Sequence, residues 1–288
     1  MSTFILMTIT GLGLAALYFL VASGLSLIFG LMGVLNFAHA AFLTLGGYTS
    51  WLVTDATGSF PLGVLAGVAA AAGVGALTES TLLRRMHGDH VPQVLLTVGL
   101  LLAFTALVRA VFGSDSHSMP VPEWTTKVTE VAGAAIPNSR FVVIGAAIAV
   151  YLGLAWFLAR TRYGLIVRAG VENRAMVTAL GIDVRRAFTL VFAIGAGLAA
   201  LAGSLVALLR DSVSPDQGMS LLIFAFIVVI IGGLGSFHGS ALAALLVGLL
   251  QQYTNFYALV GMGDLVVVLL LAGILLTRPQ GLLGRRLA

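Results

Sequence analysis

Asn36 and His39 stand in an uncharged stretch that opens the chain; the first ionised side chain is Asp55. Residues 30–48 read GLMGVLNFAHAAFLTLGGY. An amide and an imidazole both donate and accept hydrogen bonds without a full charge, and polar groups inside so apolar a segment are costly in lipid unless they serve a path or a partner. A second run, residues 217–263, also lacks Asp, Glu, Lys and Arg, and carries IIGGLGSFHGS at residues 230–240. GVLNFAH (33–39) and GLGSFH (233–238) share a glycine, a small polar residue followed by Phe, and a histidine. Such echoes mark internal repeats whose broken, polar segments line a path through a membrane. Asn36, His39, Thr44, Gly233, Ser236 and His238 are therefore candidates for a substrate path or gate. Equally, Gly, Asn, Ser and His at these places suit turns that cap helices and meet water. Thr44 and Thr97 either bond their own helix backbone or line the path. The sequence leaves these readings open.

Other chemistry is missing. A phosphate-binding GxxxxGK[ST] loop needs a lysine after glycine, and the single lysine, Lys127, follows Thr126. No apolar stretch carries the ladder of acids that a proton relay uses. Glu79, Arg109, Arg210 and Asp264 fall near expected span ends, from which long side chains reach water. The histidines are scattered at 39, 87, 90, 117 and 238, and cysteine is absent. His87 and His90 alone make a poor metal site. The chain is not expected to be an enzyme, and no metal or cofactor is expected in it.

The elements that position these residues follow from composition. Hydrophobic residues make up 59% of 288 and charged residues 9%, with a mean hydropathy of +1.08, whereas a soluble domain carries roughly 25% charge. The expected fold is all-α: a single polytopic membrane domain over residues 1–288, a bundle of about eight to ten transmembrane helices with room for broken or re-entrant segments. Spans are expected near 4–27, 36–54, 61–83, 92–112, 141–159, 187–209, 219–235, 240–260 and 263–277. The N-terminus, MSTFILMTIT, has no basic leader and reads as the first span.

Arginines orient the bundle. Arg84 and Arg85, then Arg160, Arg162, Arg168, Arg174, Arg185 and Arg186, and finally Arg278, Arg285 and Arg286 form three groups holding 11 of the 15 basic residues. The positive-inside rule makes all three cytoplasmic, with a cytoplasmic C-terminus. Residues 113–140 become an external loop and 160–186 a cytoplasmic one. Within the latter, ENRAMVTAL (172–180) reads as a short helix ended by Gly181, lying on anionic lipid or docking in a groove of a cytosolic partner. Ala and Gly recur at helical spacing in LAGVAAAAGVGA (65–76) and GAGLAALAG (195–203), which allows close helix packing in lipid. Gln251, Gln252 and Asn255 read either as interfacial residues or as the lining of an external vestibule.

GLSLIFGLMGVLNFAHAAFLTLGGY, ENRAMVTALGIDVRRAFTLVFAIGAGLAALAG, VVIIGGLGSFHGSALAALLVGLLQ and the tail TRPQGLLG resemble the LivH-type permease subunits of branched-chain amino-acid ABC importers, in matching order over residues 10–285. The resemblance implies a subunit of the bacterial inner membrane, paired with a second, LivM-type permease. Two cytosolic ATPases of LivG and LivF types would bind ATP and Mg, and a periplasmic or lipid-anchored binding protein would deliver the amino acid. It also implies that Glu172, Asn173, Arg174, Ala175, Ala179 and Gly181 form the loop that couples to those ATPases, although Met176 through Thr178 depart from the family's alanines. Related permeases carry urea and short amides, aromatic acids or sugars, and a stand-alone channel or gradient-driven carrier is the rival from another class. Nothing points to nucleic acid.

Overall fold

The computed structural model describes residues 2–33, 35–86, 90–179, 181 and 184–284, and of 171–175 and 178 the backbone alone. Helices dominate, as they must where lipid offers no partner for backbone N–H and C=O groups. In chain order they are α1 (Ser2–Met32), α2 (Ala38–Thr57), α3 (Phe60–Thr81), α4 (His90–Phe112), the short α5 (Glu123–Thr126), α6 (Asn138–Arg160), α7 (Arg162–Ala179), α8 (Val184–Arg210), α9 (Gln217–Gly232), α10 (Phe237–Tyr257) and α11 (Met262–Thr277). A 3-10 turn, Leu83–Met86, precedes α4.

The expected spans fall on these helices, but they are not equal. Among the described residues, α1, α3, α4, α6 and α8 are long and apolar enough to cross a membrane singly. α9 and α10 qualify together as a pair bent by 118°, short of the full reversal of a straight hairpin. α11 has only 16 residues, about 24 Å. α2 lies outside the set because His39, Thr44, Ser50, Thr54 and Asp55 dilute it, and the first four of these are buried inside the bundle. The nine expected spans thus fall on nine helices: five that qualify singly by length and composition, a bent pair, and the shorter or more polar α2 and α11. The short helix expected at 172–180 is also larger: α7 covers the whole segment from Arg162 to Ala179.

Loops segregate to two ends. At one end, the built Cβ of Gly235 would lie 2.9 Å from Gly30 Cα, and that of Gly170 2.9 Å from Leu31. The arginines of 84–85, 162–168 and 185–186 flank this same end. At the other, β1 (His117–Ser118) pairs antiparallel with β4 (Ser212–Val213), and β2 (Val128–Val131) forms a hairpin with β3 (Ala134–Pro137). The segment 113–140 is therefore a structured cap rather than an open loop. The inside/outside alternation read from arginine placement is consistent with this arrangement.

Glycine decides which helices touch backbone to backbone. A Cβ on Gly46 of α2 would overlap Ala200 Cα of α8, and one on Gly203 of α8 would overlap Leu43 O of α2. On the other side of α2, a Cβ on Gly67 of α3 would come within 2.8 Å of Gly46 O. Ser204 Oγ donates to Gly46 O at 3.2 Å across the α8–α2 contact. α1 meets α8 at Gly24 and Gly195, and α10 at Ala15 and Gly248. Close approach of this kind supplies the packing that holds helices together in lipid.

Gly46→Ala should therefore lower stability in detergent by about 1–3 kcal/mol through overpacking. Gly73→Ala, where a Cβ meets nothing within 4 Å, should be neutral or slightly stabilising, since alanine is the better helix former. Thermal unfolding of the two purified variants checks this difference in sign.

Candidate functional site

The two echoing segments do different work. α1 ends at Met32, Gly33 follows with φ +70°, and the chain re-enters the bundle through Asn36 and Phe37. His39, on the first turn of α2, is fully buried against the α1–α8 crossing, where its ring lies by Gly24. Its Nε2–H donates to Val21 O at 2.9 Å, while Nδ1 has no protein partner. Val21 lies well inside α1, so His39 sits within the bundle and not at a wet turn. His238, its counterpart, is exposed and bonded through Nδ1 to Tyr151 OH at 3.1 Å. The resemblance of the two motifs therefore carries no shared role for the histidines.

Ser236 is a cap. Its hydroxyl accepts from Gly239 N at 3.1 Å and starts α10. Gly233 ends α9 with φ +101°, and the tail closes over it: Leu282 N donates to Ile231 O at 2.7 Å and Leu283 N to Gly232 O at 3.1 Å. These amides satisfy carbonyls that the last turn of α9 leaves open. A Cβ on Gly281 would stand 2.5 Å from Gly233 N, so the tail can lie on the break only because both residues are glycine. TRPQGLLG is a structural strap.

Asn36 behaves otherwise. It is 2% exposed, and neither Oδ1 nor Nδ2 has a protein partner; the capping position of α2 falls on Phe37, without a side-chain cap. The expectation that Asn36 caps a wet turn is not met. The residue lines a cavity of about 10 Å³ together with Gln93 and Thr97 of α4 and the apolar Ile28, Met32, Leu83 and Phe192. Gln93 donates through Nε2 to Met86 O at 2.6 Å, and its Oε1 is unpartnered. Thr97 Oγ1 donates to Val94 O at 2.9 Å, as a threonine bonding its own helix, and accepts from Phe37 N at 3.3 Å. Buried amides without partners are rare in proteins. The space suffices for about one water, far below the ~300 Å³ of an ordinary ligand pocket. Sequence reading passed over Gln93; its signal was the spacing Gln93–Thr97–Leu101, one inward stripe of a helix whose other faces are apolar.

Thr44 is buried farther along α2, where a Cβ on Gly218 of α9 would lie 2.5 Å from its hydroxyl. It faces α9. Glu79 corrects another expectation: it does not reach water but is fully buried at the α3–α8 contact. Thr189 Oγ1 donates to its Oε2, and Arg84 stands 3.7 Å away. At the opposite end Gln251 joins Tyr18 OH (2.6 Å) to Asp264 Oδ1 (2.5 Å), and Asn255 Oδ1 accepts from the backbone of Gly261 and Gly263. Gln251 thus ties α1 to α11, Asn255 shapes the α10–α11 turn, and Gln252 Nε2 donates to Met7 Sδ at 3.5 Å. Of the coupling residues, Glu172, Asn173, Arg174 and Ala175 lie on the backbone of α7 with side chains outside the described residues. Ala179 is exposed, and Gly181 follows with φ +77°.

A bundle of long apolar helices that keeps its polar groups inside is the architecture of a polytopic membrane protein. A family model described as branched-chain amino acid transport system / permease component matches residues 7–276, and the chain belongs to that family. It is 28% identical to the high-affinity branched-chain amino acid transport system permease protein LivH of Escherichia coli K12, over 96% of this chain and 94% of that one. BraD of Pseudomonas aeruginosa, a permease protein of the same description, is also 28% identical over the same shares. LivM of Escherichia coli K12 is 28% identical over 94% of this chain and 68% of its own length. No solved structure matches the chain.

Ser236→Ala should cost about 1 kcal/mol, the usual value of an N-cap. Thr189→Val should cost about 1–3 kcal/mol by withdrawing the hydroxyl from the buried Glu79 carboxylate. Both are read as lowered unfolding temperatures of the purified chain.

Proposed function

We propose that this chain is one of two permease subunits in an ATP-driven importer of branched-chain or related amino acids. The observation that carries the reading is the family match over residues 7–276, joined by likeness to both LivH and LivM. The names of those two relatives describe permease proteins of one transport system, so the partner proposed here is a LivM-type chain. ATP and Mg would be held by two cytosolic ATPases of LivG and LivF types. A periplasmic or lipid-anchored binding protein would present substrate at the capped end formed by residues 113–140. The arginine-rich end would face the cytoplasm, in the bacterial inner membrane, with the C-terminus on that side.

α7 supplies the means of coupling. It buries Val167 and Val177 against the foot of the bundle and packs on α6, α8 and the end of α1. Tyr163 (41%), Leu165 (60%) and Met176 (63%) are exposed along it. A helix with two valines seated in the bundle and apolar side chains exposed beside them suits insertion in a partner's groove. Motion of an ATPase would reach α1, α6 and α8 directly through this element. Glu172, Asn173, Arg174, Ala175, Ala179 and Gly181 form the proposed contact, with Gly181 turning the chain back toward α8.

Co-expression with the neighbouring transport polypeptides should yield a complex whose proteoliposomes accumulate amino acid only when ATP and the binding protein are supplied. Glu172→Ala and Gly181→Val should each reduce that uptake at least about tenfold, the effect of losing one interface hot spot. The ATPases should be lost from the complex while the permease pair persists. Purified chain alone moving amino acid without any ATPase would remove this reading in favour of a channel or carrier.

A further inference from the structure

The molecule holds a seam that differs from the rest of its packing. α2, α3 and α8 are welded at Gly46, Gly67 and Gly203, where backbones touch. α4 lies outside that weld and packs on α2 and the 3-10 turn. Only Gln93, Thr97, Leu101 and Val108 of its 23 residues are buried. Its middle joins α2 and α9 through a small apolar cluster: Ala40, Ala41, Leu101 and Leu222, with Phe37, Phe104 and Phe226 against them, Phe104 and Phe226 also touching the main core. Phe37 and Phe226 meet edge to face at 5.1 Å between centroids.

Polar groups bracket this apolar plug. At the arginine-rich end stands the cavity of Asn36, Gln93 and Thr97. Toward the capped end, Gln217 of α9 is 2% exposed with Nε2 unpartnered, and Thr44 lies nearby on α2. Across the mouth at that end, Arg109 of α4 bonds Asp216, just before α9, at 2.6 Å, with both side chains largely exposed. Such a tie is worth little in water and can open readily.

Building on the permease reading above, we propose that the seam between α2, α4 and α9 is the substrate path within this chain, with Asn36, Gln93 and Thr97 as its inner gate. The seam is closed here: the polar cavity at its arginine-rich end, between Asn36, the start of α4, the end of α1 and Phe192 of α8, holds about 10 Å³, too small for any amino acid. α4 is the helix that can part from it, because the Phe37 N–H to Thr97 Oγ1 bond that ties it to the α1–α2 break is one that water can replace. The chemistry matches a zwitterion with an aliphatic side chain. The Asn36 amide offers both a donor and an acceptor, Gln93 adds an acceptor, and the Leu101–Leu222–Phe226 plug is an apolar surface for the side chain. Neutral dipoles can hold ammonium and carboxylate in turn without trapping either, as a path requires.

The chain has no cysteine, so an introduced thiol is its single one, and labelling is read on this polypeptide after it is separated from its partners. In the assembled complex, Asn36→Cys and Leu101→Cys should react with a small charged methanethiosulfonate reagent in one nucleotide state and be shielded in the other. Leu20→Cys, in the core of α1 (0% exposed), should stay unreactive in both. Asn36→Leu and Gln93→Leu should each lower leucine uptake about tenfold, the order of one lost hydrogen bond, while ATPases and partner permease still co-purify. The path assignment is overturned if both seam thiols stay unreactive in every nucleotide state of a complex that transports. It is also overturned if both leucine variants assemble and retain uptake within about twofold. Absence of ATP-driven uptake by the unmodified complex would instead count against the permease reading itself.

Discussion

The backbone contact of α2 with α8 is the constraint on which the remaining structure rests. In lipid, burying apolar side chains gives helices little reason to associate, because the solvent is as apolar as they are. Association comes from close fit, and the fit here is made at Gly46 against Ala200 and at Gly203 against Leu43 O, with Ser204 bonding Gly46 O. α3 then packs on both, meeting α2 through Gly67 and Gly63 and α8 through Gly75, and α1 crosses α8 at Gly24 and Gly195. The polar residues of α2 would be intolerable on a lipid-facing helix. Enclosed by α1, α3, α8 and α9, they become the polar interior of the bundle.

That rigid block gives the looser parts something to move against. α4 is attached along one stripe, and α9 and α10 hang from a break that turns 118° and is held by the tail. The tail's amides replace the hydrogen bonds that α9 forfeits at Gly233, so the break is firm despite its irregular backbone. Among the described residues, no such strap lies on the α1–α2 break. Asn36 faces a cavity with its amide unsatisfied by protein, and the ties of that region to α4 are few. The two breaks that look alike in sequence are thus one fixed joint and one weakly held one.

Coupling to an external energy source fits the same division. α7 does not traverse the bundle but lies across its foot, touching the ends of α1, α6 and α8. In the proposed importer, a displacement of α7 would be delivered to α1, α6 and α8. No charged relay is required. Glu79, the acid that lies deep among the helices, is spoken for by Thr189 and Arg84 at the α3–α8 contact.

Hydropathy, arginine placement and the LivH-like segments were legible in the sequence, because each is a property of residues in order: length of apolar run, charge at its ends, motif succession. They determined a polytopic all-α permease, the place of its loops, and the helix next to Gly181. Spacing alone could not say which polar residue caps, which packs and which faces open space. Ser236 caps because Gly239 N is within reach, His39 packs because Gly24 leaves room for its ring, and Asn36 is left unsatisfied because the capping position falls one residue later. Glu79 is buried and not at the water's edge because Thr189, 110 residues away, supplies its hydrogen bond. Only the tertiary structure decided these roles, since a polar group's behaviour in a low-dielectric interior is set by partners that lie far off in the chain.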